Sequence, residues 1–436
     1  MNATILRQYR YDIYDCFLRS RDALFNTVDA LMTETQATSF PEVSQSLWFE
    51  RKWPSLYEAF EDGRIDGQYL REIFVRYLPK PNAGKWLWIG IDATKIARPN
   101  AVTSADRTAQ YVHNLPECKK PITFGWQFST VVVLPEDPSS WTYQLDQQRV
   151  ASETTAIEVA CTQIKRLMPY LPKNSILVLD RGYDANWLWC QCSALDMGVL
   201  CRLKSNRCFY RPAPAPTEKK GGPRKDGAKL QPKDATTHHD SDGSWSGTDE
   251  KGRPIEITWW KHLHIKQARY LDMTVIRVVR PHATNKERDP RVSWFAWMGD
   301  EQADIAQVGL GYVRRFSQEH GYRFDKQALL WEQPRLRTPQ QFERWTQIVA
   351  IVHNHLVLAR DLVEPELRPW ESKHRVPSPQ QVRRGMHKLL LHLGTPAQPP
   401  QPRGKSKGRV IGAKVKKAER FPVIRKRPKL PQLVPS

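Results

Sequence analysis

Tyr312, Arg315, Glu319 and Lys326 are spaced so that one continuous helix, at about 100° per residue, would gather them within about 60° of arc. That face presents a carboxylate among two cations and a phenol. The combination suits a phosphodiester: the carboxylate can hold a hard divalent cation while Arg315, Lys326 and Tyr312 contact phosphate oxygens. A solvated surface helix also mixes charges, so the pattern gains weight only if partner carboxylates exist. Two candidates end short apolar runs. Trp86 to Ile91 leads to Asp92, and Ile176 to Leu179 leads to Asp180.

In a mixed sheet with helices on its faces, side chains at strand ends face the crevice where ligands bind. If the strands ending at Asp92 and Asp180 are neighbours, Glu319 on a helix packed beside them completes a three-carboxylate, hard-oxygen site suited to magnesium or manganese. Three carboxylates around two cations would support in-line displacement at phosphorus. The competing reading is that strand-terminal aspartates cap turns. It applies most to Asp180, because Arg181, Gly182 and Asp184 make a plausible turn by themselves.

The surrounding elements follow from periodicity. Residues 1–80 carry apolar positions at helical spacing, for example Ile13, Phe17, Leu24, Val28 and Leu31, and read as a small helical domain that could bind DNA. Pro79, Pro81 and Gly84 break that pattern. Over 85–206 the chain reads as three strands (from Leu87 to Asp92, from Thr108 to His113 and from Phe124 to Leu134), a helix from Ser152 to Met168, a strand from Ser175, a helix from Asn186 and a strand from Gly198. Composition changes over 207–293, where a Pro-, Gly- and Lys-rich stretch from Pro212 to Lys233 leads into strands near Ile255 and Tyr270; this reads as an insertion into the core. The core resumes over 294–332, residues 333–395 read as closing helices, and 396–436 as a basic tail.

The 436 residues carry a net charge of +21, which favours a polyanionic partner such as nucleic acid or an anionic membrane surface. Between Gln401 and Ser436 twelve basic residues face one acid, Glu419, about half of that total. Such a segment cannot bury a core and is expected to stay disordered until it meets phosphate, or to act only as a solubilising tail. No apolar run approaches a membrane span and no signal-peptide core is evident, so a soluble, cytoplasmic protein is expected, nucleoid-associated if bacterial. Seven scattered cysteines imply reduced thiols rather than a disulfide framework.

Taken together, the Tyr-x-x-Arg-x-x-x-Glu-x-x-x-x-x-x-Lys pattern, Ile-Gly-Ile-Asp92-Ala-Thr and Leu-Val-Leu-Asp180-Arg-Gly-Tyr resemble the insertion-sequence DDE transposases with a Tyr-Arg-Glu-Lys signature. The resemblance runs from about Leu87 to Lys326. It implies an α/β fold: a ribonuclease-H-like mixed sheet core interrupted by a β-rich insertion, between a helical N-terminal domain and a helical C-terminal region. It further implies that Asp92, Asp180 and Glu319 bind Mg2+, or Mn2+ in its place, as two ions, while Tyr312, Arg315 and Lys326 contact DNA. Water would then cut one strand at an element end, and the released 3′-hydroxyl would attack the opposite strand or target DNA. The implied partners are double-stranded DNA and a second copy of the chain in a synaptic dimer. A related nuclease that does not join strands, and a catalytically inactive DNA-binding descendant, remain the alternatives.

Gly321 departs from a strong helix, at about 1 kcal/mol relative to alanine, and could end it before Lys326. Elsewhere, Trp259 or Trp260 could stack on an unpaired base, although most tryptophans pack in cores. Cys190, Cys192, Cys201 and Cys208 lack paired zinc-site spacing. His238, His239, Asp240 and Asp242 read as a solvated loop, and His353 and His355, two apart on a helix, make a poor shared ligand set.

Overall fold

The computed structural model describes residues 2–79, 81–82, 84–112, 121–215, 224–249, 252–286, 290–402, 408, 410–414, 417–426 and 430–431. The N-terminal segment forms α1 (Ala3–Asp15), β1 (Phe17–Arg19), α2 (Arg21–Thr33), α3 (Phe40–Val43), α4 (Trp53–Asp62), β2 (Arg64–Ile65) and α5 (Gly67–Arg76). Leu6, Tyr9 and Ile13 on α1 and Leu24, Val28 and Leu31 on α2 recur every three or four residues and are all buried.

The core follows as β3 (Leu87–Ala97), β4 (Thr108–Tyr111), β5 (Ile122–Val133), β6 (Tyr143–Arg149), α6 (Ala156–Leu167), β7 (Ser175–Leu179), α7 (Asn186–Cys192) and β8 (Gly198–Arg202). Strands β9 (Phe209–Tyr210), β10 (Lys229–Leu230), β11 (Gly243–Thr248), β12 (Pro254–Ile265) and β13 (Ala268–Val279) then intervene before β14 (Val292–Met298). The chain closes with α8 (Ile305–Gly311), a 3-10 turn (Tyr312–Arg315), α9 (Phe316–Gln327), α10 (Pro339–Ala359) and α11 (Pro379–Leu393). α6 and α10 begin at capping boxes, Thr155 with Glu158 and Thr338 with Gln341, which satisfy the first free amides of each helix.

One mixed sheet runs β10-β9-β12-β13-β14-β8-β7-β3-β5-β4, with β11 on β12 and β6 on β5. β3, β7 and β8 are parallel, and the other pairings are antiparallel. The β-rich insertion therefore prolongs the core sheet through β14. Along β7, Leu177 and Leu179 enter one buried cluster and Ile176 and Val178 the other, as a strand covered on both faces requires. The first cluster also holds the N-terminal helices, α10 and α11; Phe40 and Phe60 pack edge-on to Trp345, and Arg383 donates to the carbonyls of Leu31 and Glu34.

Several sequence expectations need correction. Four strands, not three, precede α6, because β6 has the polar sequence Tyr-Gln-Leu-Asp-Gln-Gln-Arg and gives no apolar run. Its polar groups are satisfied by tertiary partners: Asn354 bonds both the amide and the carbonyl of Gln144, and Arg71 pairs with Asp146. β3 does not stop at Asp92 but continues to Ala97 along β5. The helix carrying the four-residue face is three pieces, with Tyr312 and Arg315 in the 3-10 turn. α9 passes through Gly321 without ending, because the glycine fits against Thr142; a Cβ there would lie 2.6 Å from the Thr142 hydroxyl oxygen.

The tail is not free throughout. Ile424 bridges the outer edge of β4, where its N donates to Arg107 O at 2.8 Å and its O accepts from Ala109 N at 3.1 Å, and Phe421 N donates to Val102 O nearby. The unpaired backbone of an edge strand supplies the partners that a charged segment lacks by itself. His113, residues 216–223 and the tail cations Arg403, Lys405, Lys407, Arg409, Lys416, Arg427 and Lys429 lie outside the described residues. No helix among the described residues is long and apolar enough to cross a membrane.

Candidate active site

β3 pairs with β7 only as far as Gly90 opposite Val178, whereas its ladder with β5 continues through Asp92 opposite Thr130. Asp92 thus lies just past the end of β7, next to the turn that Asp180 opens. Asp180 serves both of its sequence readings. Its Oδ1 accepts from Gly182 N at 2.7 Å, capping the turn Arg181–Tyr183, while Oδ2 faces the cluster.

α9 brings the third carboxylate. Gly90 makes room for it, since a Cβ on that strand would lie 2.7 Å from the side-chain oxygen of Gln318. Gln318 Nε2 donates to the carbonyl and hydroxyl oxygens of Thr130 at 3.2 and 3.1 Å, and Tyr322 Oη donates to Asp92 O at 3.0 Å. These two side chains, one helical turn apart on the same face, clamp α9 to β3 and β5. Sequence reasoning missed both. Their signal lay in the spacing, because they flank Glu319 at the positions that face the sheet when Glu319 faces the crevice.

The carboxylates meet at Arg315. Its Nη2 donates to Asp92 Oδ2 at 3.0 Å and to Asp180 Oδ2 at 3.3 Å, and its Nη1 to Glu319 Oε1 at 3.2 Å. The Arg315 side chain is 9 % exposed, against 57 % for Glu319, so the cluster is buried at its floor and open at its mouth. Burial pushes the Asp92 carboxyl up to about 6; Arg315 opposes that rise, and the like charges of Asp180 and Glu319 add to it. Burial would weaken the charge on Arg315, but the surrounding carboxylates, Asp92 foremost, raise its pKa instead.

Of the remaining members of the sequence pattern, Tyr312 stands close enough to Arg315 and Asp180 to feel their charges, whereas Lys326 is engaged elsewhere. Tyr312 is buried, its ring 4.6 Å from that of Phe295 on β14, and burial pushes its phenol up to about 12, so it stays a proton donor. Lys326 Nζ donates to Lys95 O at 2.7 Å and pairs with Glu332 at 2.6 Å. Lys95, three residues beyond Asp92 on β3, stands beside Lys326 of α9, so two cations lie together towards the end of that strand. Trp260 is buried against Trp294 with its indole N–H on His239 O, which removes it from base stacking, whereas Trp259 is half-buried. Cys192 and Cys201 are buried free thiols, and Cys190 and Cys208 are half-buried. His353 pairs with Asp325 and His355 faces Arg10, so the two histidines serve separate contacts.

The donor set fits a hard divalent cation: three carboxylates converge, and one guanidinium leaves negative charge in excess. The place such an ion would take, however, is held by that guanidinium. Among the described residues no group of three or more His, Cys, Asp or Glu side chains is arranged around a shared ion position.

The family model described as DDE superfamily endonuclease matches residues 12–264, more than half of the chain. This chain belongs to that family. No curated protein matches it. Membership places the chain among transposase- and nuclease-type enzymes acting on DNA. The matched stretch contains Asp92 and Asp180 but ends in β12, before α9. Glu319 and Arg315 lie outside the matched stretch, and the fold brings them to Asp92 and Asp180.

Proposed function

We propose that this chain is a DNA transposase that cuts the ends of its element and transfers the cut strands, with Asp92, Asp180 and Glu319 as the catalytic, metal-holding carboxylates. The observation that carries this reading is the convergence of those three side chains, from β3, from the end of β7 and from α9, on a single guanidinium. Mg2+, or Mn2+ in its place, would supply an activated attacking oxygen and a neutralised leaving oxygen in an in-line displacement. The chain's own groups do the rest. Arg315, Tyr312 and Lys326 hold phosphates of the bound strand, with Lys95 beside Lys326 extending the cationic flank.

In the first step an oxygen–phosphorus bond forms from water and the bond to the 3′-oxygen breaks, leaving a 3′-hydroxyl and a 5′-phosphate. In the second, that hydroxyl attacks another phosphodiester, in the opposite strand or in target DNA. A second copy of the chain would hold the other end. The related reading, a nuclease that cuts without joining, shares the first step only. Purified protein incubated with DNA bearing the inverted repeats that flank its gene, and Mg2+, separates them. Hairpin or strand-joined products support the transposase, cut ends alone support the nuclease, and intact DNA would overturn both.

A further inference from the structure

The proposed metal site leaves one arrangement unexplained. The guanidinium of Arg315 binds one oxygen from each carboxylate that would hold the cation, at 3.0, 3.3 and 3.2 Å. A divalent cation drawn to these three oxygens would meet the N–H groups that already occupy them and the positive charge that carries those groups. Arg315 and the metal therefore compete for one position.

The present seat of Arg315 is also incomplete. Its Nε is buried without a partner among the described residues, so the fork is satisfied only through its two outer nitrogens. A phosphodiester offers two adjacent oxygens in the plane a guanidinium prefers, which three separate carboxylates do not. Glu319, 57 % exposed, marks the open side of the cluster, from which a phosphate would approach the guanidinium.

Resting on the metal-site reading above, we infer that Arg315 is a placeholder cation: without DNA it holds the three carboxylates together, and a DNA phosphate draws it away so that the divalent cation can enter. Metal and DNA then bind with positive coupling. The coupling is reciprocal, so DNA raises metal affinity by the factor by which metal raises DNA affinity. The device would keep the carboxylates assembled against their mutual repulsion while preventing metal loading away from substrate.

The test is Mn2+ binding to the full chain, followed by calorimetry and by the electron-spin signal of free Mn2+, with and without a mixed-sequence DNA duplex at low salt. The wild type is expected to bind Mn2+ roughly tenfold or more tightly with duplex present. Arg315→Gln is expected to bind Mn2+ without DNA roughly tenfold more tightly than the wild type, and to gain little from duplex. Arg315→Lys, which keeps one charge but cannot bridge three carboxylates, is expected in between, and it serves should Arg315→Gln fail to fold. A wild-type affinity indifferent to duplex overturns the inference, as does a folded Arg315→Gln or Arg315→Lys that binds Mn2+ no more tightly than the wild type. Asp92→Asn separates the two levels. Mn2+ binding that survives it overturns the metal site and the placeholder together, whereas loss in Asp92→Asn with no tightening in either Arg315 variant overturns the placeholder alone.

Discussion

Replacing Asp92 by Asn keeps the shape of the side chain and its acceptor for the amide of Ala93, which lies 2.8 Å away, but removes the charge that faces Arg315. Asp92→Asn and Glu319→Gln are therefore expected to lower metal-dependent DNA cleavage by more than about 100-fold, beyond the range for losing a mere supporting partner of a metal ligand. DNA binding, measured by fluorescence anisotropy, should stay near the wild-type value. Tyr322 is a positioning residue at the same scale. Tyr322→Phe removes the hydrogen bond to the Asp92 carbonyl and is expected to destabilise the fold by about 1–2 kcal/mol in urea titration, while lowering the cleavage rate with little change in DNA affinity. Unchanged stability would show that the clamp on β3 is not formed. At this scale the carboxylates were legible, because two apolar runs each led to an aspartate. The seat of Arg315 was not, since it depends on three elements from distant parts of the chain meeting at one nitrogen pair.

The element that decides the site is α9, and its continuity depends on Gly321. Helix propensity favours alanine there by about 1 kcal/mol, but the added methyl would press on the buried, β-branched Thr142, at a cost of about 1–3 kcal/mol. Gly321→Ala is expected to be net destabilising in urea, and Thr142→Ala in the same chain should recover part of the loss; a stabilised single variant would refute this packing. The end of α9 is held by the buried pair of Asp325 and His353, whose Nδ1 lies 2.6 Å from the carboxylate. Burial disfavours the imidazolium, but Asp325 and the Thr142 carbonyl outweigh it, so the pKa of His353 is raised. The sign follows from linkage. A raised folded-state value gives stabilisation that is complete below about pH 6.5 and is lost as pH rises through the folded pKa. The stability difference between the wild type and His353→Asn should therefore shrink as pH is raised above about 6.5 in urea titrations. The sequence suggested that Gly321 could end the helix because propensity sees only the local chain. It missed β6 for the related reason that a polar strand becomes buried only when α5 and α10 supply its partners.

For the whole molecule, a single mixed sheet carries both the strands that lead to Asp92 and Asp180 and the insertion, and the basic tail returns to its far edge at β4. The tail holds about half of the net charge of +21. Truncation after Pro402 is expected to weaken binding to mixed-sequence DNA and to make its dependence on salt shallower, as seen in anisotropy titrations at several ionic strengths. An unchanged salt slope would show that the tail takes no part in binding. The charge of the tail was legible from composition; its docking was not, because the edge of β4 exists only in the folded sheet. The central claim, that Asp92, Asp180 and Glu319 cut DNA together, is tested most directly by cleavage of DNA bearing the flanking inverted repeats, with Mg2+ and with chelator. The wild type should cut only with the metal, and Asp92→Asn, Asp180→Asn and Glu319→Gln should each bind that DNA without cutting it. Cleavage at the wild-type rate by any one of the three would contradict the account.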